Sequence, residues 1–226
     1  MGNRAVGSDL GGSPNLDAPT ILLKSAELNH ACVPHFSLDS RAVQRDTGCV
    51  RDIAYLSLGS NLGDRAANLR VAVAQLPPAG RLLAVSALYE TQPVEVIDQP
   101  WFLNCVVAIE TDKTPRELLR FVLQIEASMG RLRVRNKGAR KIDIDILLFG
   151  ERVVDELGLT IPHTAMHCRR FVLEPLTEIA PEARHPVLGK TARELLQALD
   201  AEQVEAEQGV PRQIVRQQIV RRFEPF

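Results

Sequence analysis

Arg131-Leu132-Arg133-Val134-Arg135-Asn136-Lys137-Gly138-Ala139-Arg140-Lys141-Ile142-Asp143-Ile144-Asp145-Ile146-Leu147-Leu148-Phe149 is a cationic, glycine-containing loop that runs into an apolar strand carrying two aspartates. Side chains alternate across a strand, so Asp143 and Asp145 project from one face and Ile142, Ile144 and Ile146 from the other, toward a core. Neighbours on one face of a strand lie roughly 6.5–7 Å apart at Cα, near enough for two carboxylates to share divalent ions. Five basic side chains, Arg131, Arg133, Arg135, Lys137 and Arg140, precede the pair. Guanidinium forks match phosphate oxygens bidentately, so the stretch suits a polyphosphate with its metal. The same residues also suit a solvated basic face and a polar strand edge, and the rest of the chain has to decide.

The 226 residues suffice for one domain with extensions; 45% are hydrophobic, 24% charged, and the formal net charge is -1. That balance gives no bulk positive charge for nucleic acid, and aromatics are scarce at 4%. No apolar run approaches the roughly 20 residues of a membrane span. Cys32, Cys49, Cys105 and Cys168 show no CxxC spacing, so reduced thiols in a cytoplasmic protein are expected.

Residues 1–52, rich in Gly, Ser, Pro, Asn and Asp, read as a disordered arm. The start lacks the basic and apolar regions of a secretory signal, and its acidic residues disfavour a mitochondrial presequence. Translation from near Val50 is an alternative; N-terminal sequencing of native protein that retained Met1 would exclude it. Ile53–Leu58 then reads as a strand, and Gly59-Ser60-Asn61-Leu62-Gly63-Asp64 as a sharp turn into a helix over Arg65–Leu76 that Pro77-Pro78 stops. A second strand is expected over Arg81–Tyr89 and a third over Phe102–Thr111, with Leu103, Cys105, Val107 and Ile109 facing the core. Thr114-Pro115-Arg116-Glu117 is a capping box with proline at the first helical position, opening a helix that ends at Gly130. The Asp-x-Asp strand is the fourth. The order β-α-β-β-α-β is that of a ferredoxin-like α+β sandwich. C-terminal additions follow: Val153–Ile161, a helix near Arg169–Leu176, and another over Thr191–Leu199. The folded domain is bounded at 53–200. Residues 201–226 read as a charged, basic tail, in which Val215, Ile219 and Phe223 suggest an amphipathic helix.

Gly59-Ser60-Asn61, Thr91-x-Pro93, Phe102-Leu103-Asn104, Gly138-Ala139-Arg140-x-x-Asp143-Ile144-Asp145 and Pro162-His163 resemble the 6-hydroxymethyl-7,8-dihydropterin pyrophosphokinase family of folate biosynthesis, over about Ile53 to Leu199. The resemblance implies transfer of a pyrophosphoryl group from the co-substrate ATP to the pterin hydroxymethyl oxygen, with AMP leaving. It assigns two Mg²⁺ to Asp143 and Asp145, and catalytic roles to these with Arg131 and Arg140. It implies ATP contacts at Glu126, Arg131, Arg133, Arg140, Ile146, His163 and Arg169, although Glu126 also suits a surface helical carboxylate. Pterin contacts are implied at Gly59, Thr91, Pro93, Val94, Phe102, Asn104, Asp143 and Phe171, with Phe102 and Phe171 sandwiching the ring. His167 and His185 are left as structural. The basic loop is one residue shorter than in some relatives, and Asn136-Lys137 stands where some carry a basic residue and tryptophan. Small-molecule substrates, a monomer, and neither nucleic acid nor membrane are expected. A non-catalytic ferredoxin-like module and a kinase that releases ADP are the competing readings; AMP formation separates both from pyrophosphoryl transfer.

Overall fold

The two central strands of the sheet are buried on both faces along most of their length. Strand β1 (Asp52–Ser60) lies antiparallel between β4 (Phe102–Thr111) and β5 (Asp143–Phe149). The computed structural model describes residues 51–93, 99–130, 138–207, 220–224 and 226, all within one compact unit, Asp46–Phe226. Residues 1–50 of the arm over 1–52, together with Val94, Arg131, Arg133, Val215 and Ile219, lie outside the described residues. Beyond β4 come β2 (Arg81–Val85) and β3 (Leu88–Thr91), and the main path across the sheet is β5-β1-β4-β3-β8, where β8 is Val220–Glu224. A hairpin of β6 (Val154–Glu156) and β7 (Leu159–Ile161) stands apart.

On one face pack α1 (Arg65–Ala74) and α2 (Pro115–Ser128), through Leu69, Ala72 and Val73 and through Leu118, Val122 and Ile125. They meet Leu103, Cys105, Val107 and Ile109 of β4 and Ile144 and Ile146 of β5, the sets assigned to the core from alternation. Asp64 caps α1, accepting from the Ala67 N–H at 3.0 Å, and the prolines at 77 and 78 convert its continuation into a single 3₁₀ turn. Thr114 and Glu117 form the expected capping box on α2. Gly130 takes φ 87° just past its end, where other residues would be strained. The opposite face is half covered by α3 (Arg170–Ile179) and α4 (Ala192–Glu207), through Val172, Leu176 and Ala192 against Val106 and Leu148. This ferredoxin-like core therefore has a helical layer on both sides and an open region at one end of the second face.

Two expectations are corrected. The strand over Arg81–Tyr89 is broken at Ser86-Ala87. Ser86 Oγ accepts from the Val106 N–H at 3.0 Å, and the Ala87 N–H turns away to Glu178 Oε2 at 3.0 Å. A side chain thus replaces one rung of the ladder. In the tail, Val220–Glu224 is a strand rather than part of a helix, pairing antiparallel with β3. Four-residue apolar spacing over so short a segment is weak evidence for a helix, and the open edge of β3 offers backbone partners that an isolated helix lacks. Helix α4 continues past residue 200 to Glu207.

Candidate active site

Strand register sets out the site in two rows. Asn104 of β4 pairs with Gly59 of β1, and Gly59 with Asp143 of β5. Two residues along, Val106, Ser57 and Asp145 make the next row. Paired residues point to the same side of a sheet, so Asn104, Ser57 and both aspartates share the face left open beyond α3. There they line a cavity of about 310 Å³ together with Gly59, Thr91, Gln92, Pro93, Gln99, Phe102, Arg140, His163, Arg169 and Phe171. That volume lies at the small end of ligand pockets.

One side of the cavity is shaped for a flat polar edge. Asn104 is buried, and its amide donates to Thr91 Oγ1 at 2.7 Å, which fixes the direction of the carboxamide. A Cβ at Gly59 would come 2.7 Å from Asn104 Oδ1, so only glycine leaves that oxygen its place. Phe102 and Phe171 supply aromatic surface, and each carries a guanidinium over its ring, Arg140 at 5.6 Å and Arg169 at 5.7 Å from the centroid.

The other side is charged. Arg140 Nη2 pairs with Asp143 Oδ2 at 2.9 Å, while its buried Nε has no hydrogen-bond partner among the described residues. A buried cationic donor with unused capacity favours an incoming anion. Burial, and secondly the neighbouring Asp143, pushes the Asp145 carboxyl up to about 6, against the opposing pull of Arg169 and Arg140. Burial, followed by the charge of Arg169, pushes His163 down to about 4. Its Nδ1 accepts from the Ala165 N–H at 3.2 Å, so the neutral ring carries its proton on Nε2 as a donor.

The donor set fits magnesium. Among the described residues no cluster of three or more His, Cys, Asp or Glu is placed to hold a metal. Mg²⁺ commonly takes only one or two carboxylates and completes its octahedron with water and phosphate oxygens. Two adjacent carboxylates, one of them with a raised affinity for a proton, provide that partial coordination and gain from a cation between them.

The structure brings together eleven of the residues singled out from sequence: Gly59, Thr91, Pro93, Phe102, Asn104, Arg140, Asp143, Asp145, His163, Arg169 and Phe171. It does not bring Glu126 or the Ile146 side chain to the cavity. Glu126 is not a surface carboxylate either: it is 2% exposed and its Oε1 accepts from the Ile144 N–H at 2.8 Å, behind β5. Ile146 packs in the core. Ser57, Gln92 and Gln99 were missed. Ser57 was findable, since it shares the Gly59 face of β1 two residues earlier; the glutamines come from a loop without periodicity. Asn61, noted only as part of a motif, bridges two loops. Its Oδ1 accepts from the Arg140 N–H at 2.7 Å and its Nδ2 donates to Gln99 Oε1 at 3.1 Å.

Comparison with known proteins gives the chain's family. Residues 55–181 match the family described as 7,8-dihydro-6-hydroxymethylpterin-pyrophosphokinase. A 2-amino-4-hydroxy-6-hydroxymethyldihydropteridine pyrophosphokinase of Methylorubrum extorquens is 48% identical over 154 residues, covering 67% of this chain and 96% of its own. The protein of the same name from Pseudomonas aeruginosa is 42% identical, covering 67% and 94%. The crystal structure of wild-type Plasmodium falciparum HPPK-DHPS superposes with a TM-score of 0.58 at 19% identity, over 70% of this chain. The chain spans only 46% of that longer protein, and the likeness shows the fold. On the length and identity of these matches, the chain belongs to the 7,8-dihydro-6-hydroxymethylpterin-pyrophosphokinase family.

Proposed function

We propose that this protein transfers a pyrophosphoryl group from ATP to the hydroxymethyl oxygen of 6-hydroxymethyl-7,8-dihydropterin and releases AMP, a step of folate biosynthesis. The observation that carries the reading is the row Asn104–Gly59–Asp143, which sets an amide suited to a heterocycle edge across one intervening strand from a carboxylate pair. Asn104 offers both a donor and an acceptor, as the edge of a pterin does, and Phe102 and Phe171 supply planar surface for its ring. Gly59, Thr91 and Pro93 complete that side of the pocket, and Val94 is proposed to extend it.

Asp143 and Asp145 would hold two Mg²⁺. When bound, these ions supply neutralisation of charge on the phosphate oxygens. Arg140 presents its unpartnered Nε to a phosphate, and it must exchange its pairing with Asp143 as the carboxylate takes up its ligand. Arg169 faces the same region, and the Nε2–H of neutral His163 donates without adding a charge. Arg131 and Arg133 are proposed to join them around the phosphates, with Glu126 and Ile146 acting from behind through the backbone of β5. Catalysis here consists of holding the hydroxyl oxygen and the β-phosphorus in line, with preplaced positive charge around the transferred group.

No helix among the described residues is long and apolar enough to cross a membrane. We further propose a cytoplasmic monomer acting on small molecules alone. The deciding experiment incubates the protein with ATP, Mg²⁺ and the reduced pterin and identifies the nucleotide product. AMP with the pterin diphosphate is expected; ADP, or no turnover, overturns the proposal.

A further inference from the structure

We propose that the C-terminal strand β8 is a positioning element of the active site, and that Arg221 acts through Trp101 to hold the pterin side of the pocket. The inference rests on the reading of that side as the pterin subsite. Residues 220–224 lie outside the matched span of 55–181, so nothing in the family match assigns them a role.

The pocket segment between β3 and β4 leaves the sheet at Thr91 and returns at Trp101-Phe102, carrying Gln92, Pro93 and Gln99 to the cavity on the way. Strand β8 grips both of its ends. At the outgoing end Val220 pairs with Thr91, the residue whose hydroxyl fixes Asn104, and Arg221 pairs with Glu90. At the returning end the Arg221 guanidinium lies over the Trp101 ring, 5.6 Å from its centroid. Strand β8 is itself held from α3. Arg222 Nη2 meets Glu178 Oε1 at 2.8 Å, and the other oxygen of Glu178 accepts from the Tyr89 hydroxyl and the Ala87 N–H, both at 3.0 Å. One carboxylate therefore ties β8, the break between β2 and β3, and α3 together. Arg65 secures the same two ends from below, with Nη2 on Glu90 at 2.9 Å and Nη1 on the Trp101 carbonyl at 2.8 Å.

Strand β8 covers the whole of β3, Leu88–Thr91, and beyond this backbone pairing Arg221 reaches the residue immediately before Phe102. Its side-chain contact is a cation over an aromatic ring, which at an exposed site contributes a two- to fivefold effect on an equilibrium, at about 0.5–1 kcal/mol.

The test uses the full chain carrying Arg221→Ala, Arg221→Lys or Arg222→Ala. Trp101 is the single tryptophan, so intrinsic fluorescence reports on the contact directly. Arg221→Ala is expected to shift Trp101 emission and increase its quenching by acrylamide. It is also expected to raise KM for the pterin about two- to fivefold, with kcat and KM for ATP unchanged within error. Arg221→Lys keeps the cation and should restore most of the pterin KM; Arg222→Ala should give a smaller rise. Unchanged pterin KM in Arg221→Ala overturns the proposal, as does a loss spread equally over kcat and both KM values. Absence of AMP formation by the unsubstituted protein would instead remove the pterin reading itself, so the two failures are distinguishable.

Discussion

Replacing Asp145 with asparagine should make the unliganded protein more stable while abolishing its turnover. The carboxyl of Asp145 is raised from 3.8 to about 6 by burial and by Asp143. A carboxylate whose folded pKa exceeds its unfolded value favours folding most when protonated. Its contribution is full below about pH 4, is lost as pH rises through 6, and stays lost above. The difference of roughly two units corresponds to an upper figure of about 3 kcal/mol at neutral pH. Because the side chain is only half-buried, and Arg169 loses a partner in the variant, about 1–2 kcal/mol is the expected gain. For a domain of this size that is a rise in Tm of about 2–8 °C. Thermal or urea unfolding at pH 7.5 and pH 4.5 should show the gap between Asp145→Asn and the parent shrinking at the lower pH. Adding Mg²⁺ with a non-hydrolysable ATP analogue should stabilise the parent more than the variant. The reasoning is refuted if the variant is less stable at pH 7.5, if the gap is independent of pH, or if turnover survives.

Asn104→Ala should raise KM for the pterin about tenfold with little change for ATP, because a directed amide is lost from a buried edge. Gly59→Ala should act in the same direction, since the added Cβ meets Asn104 Oδ1 at 2.7 Å; steady-state kinetics with each substrate varied checks both. Glu126→Ala should cost about 1–3 kcal/mol in urea unfolding, by leaving the buried Ile144 N–H without this acceptor. His185 is buried, its Nδ1 accepts from the Leu188 N–H at 3.2 Å, and burial, then His167, pushes it down to about 4. A depressed histidine gives stability that is full above about pH 6.5 and lost as pH falls toward 4. His185→Gln should therefore lose about 1–2 kcal/mol less than the parent between pH 7 and pH 5. Equal losses in the two proteins would exclude His185 as the source.

Local rules written in the sequence determined the strand and helix periods, the capping box at Thr114, and the pairing of Asp143 with Asp145 on one face. These depend on neighbours two to four residues apart, and the alternation placed Leu103, Cys105, Val107 and Ile109 in one core cluster, although Val106 and Ala108 on the other face are buried as well. The motif residues recognised from their likeness to a family were also legible, because chemistry restricts which side chains can stand there. What only the tertiary structure decided depends on contacts between distant segments. Glu126 is buried rather than exposed because β5 crosses α2 and presents the Ile144 N–H to it. The second strand breaks because Ser86 and Glu178 meet backbone groups that they could not reach in an unfolded chain. The tail over Val220–Glu224 is a strand because β3 has an open edge, a property of the assembled sheet that no spacing within the tail can encode.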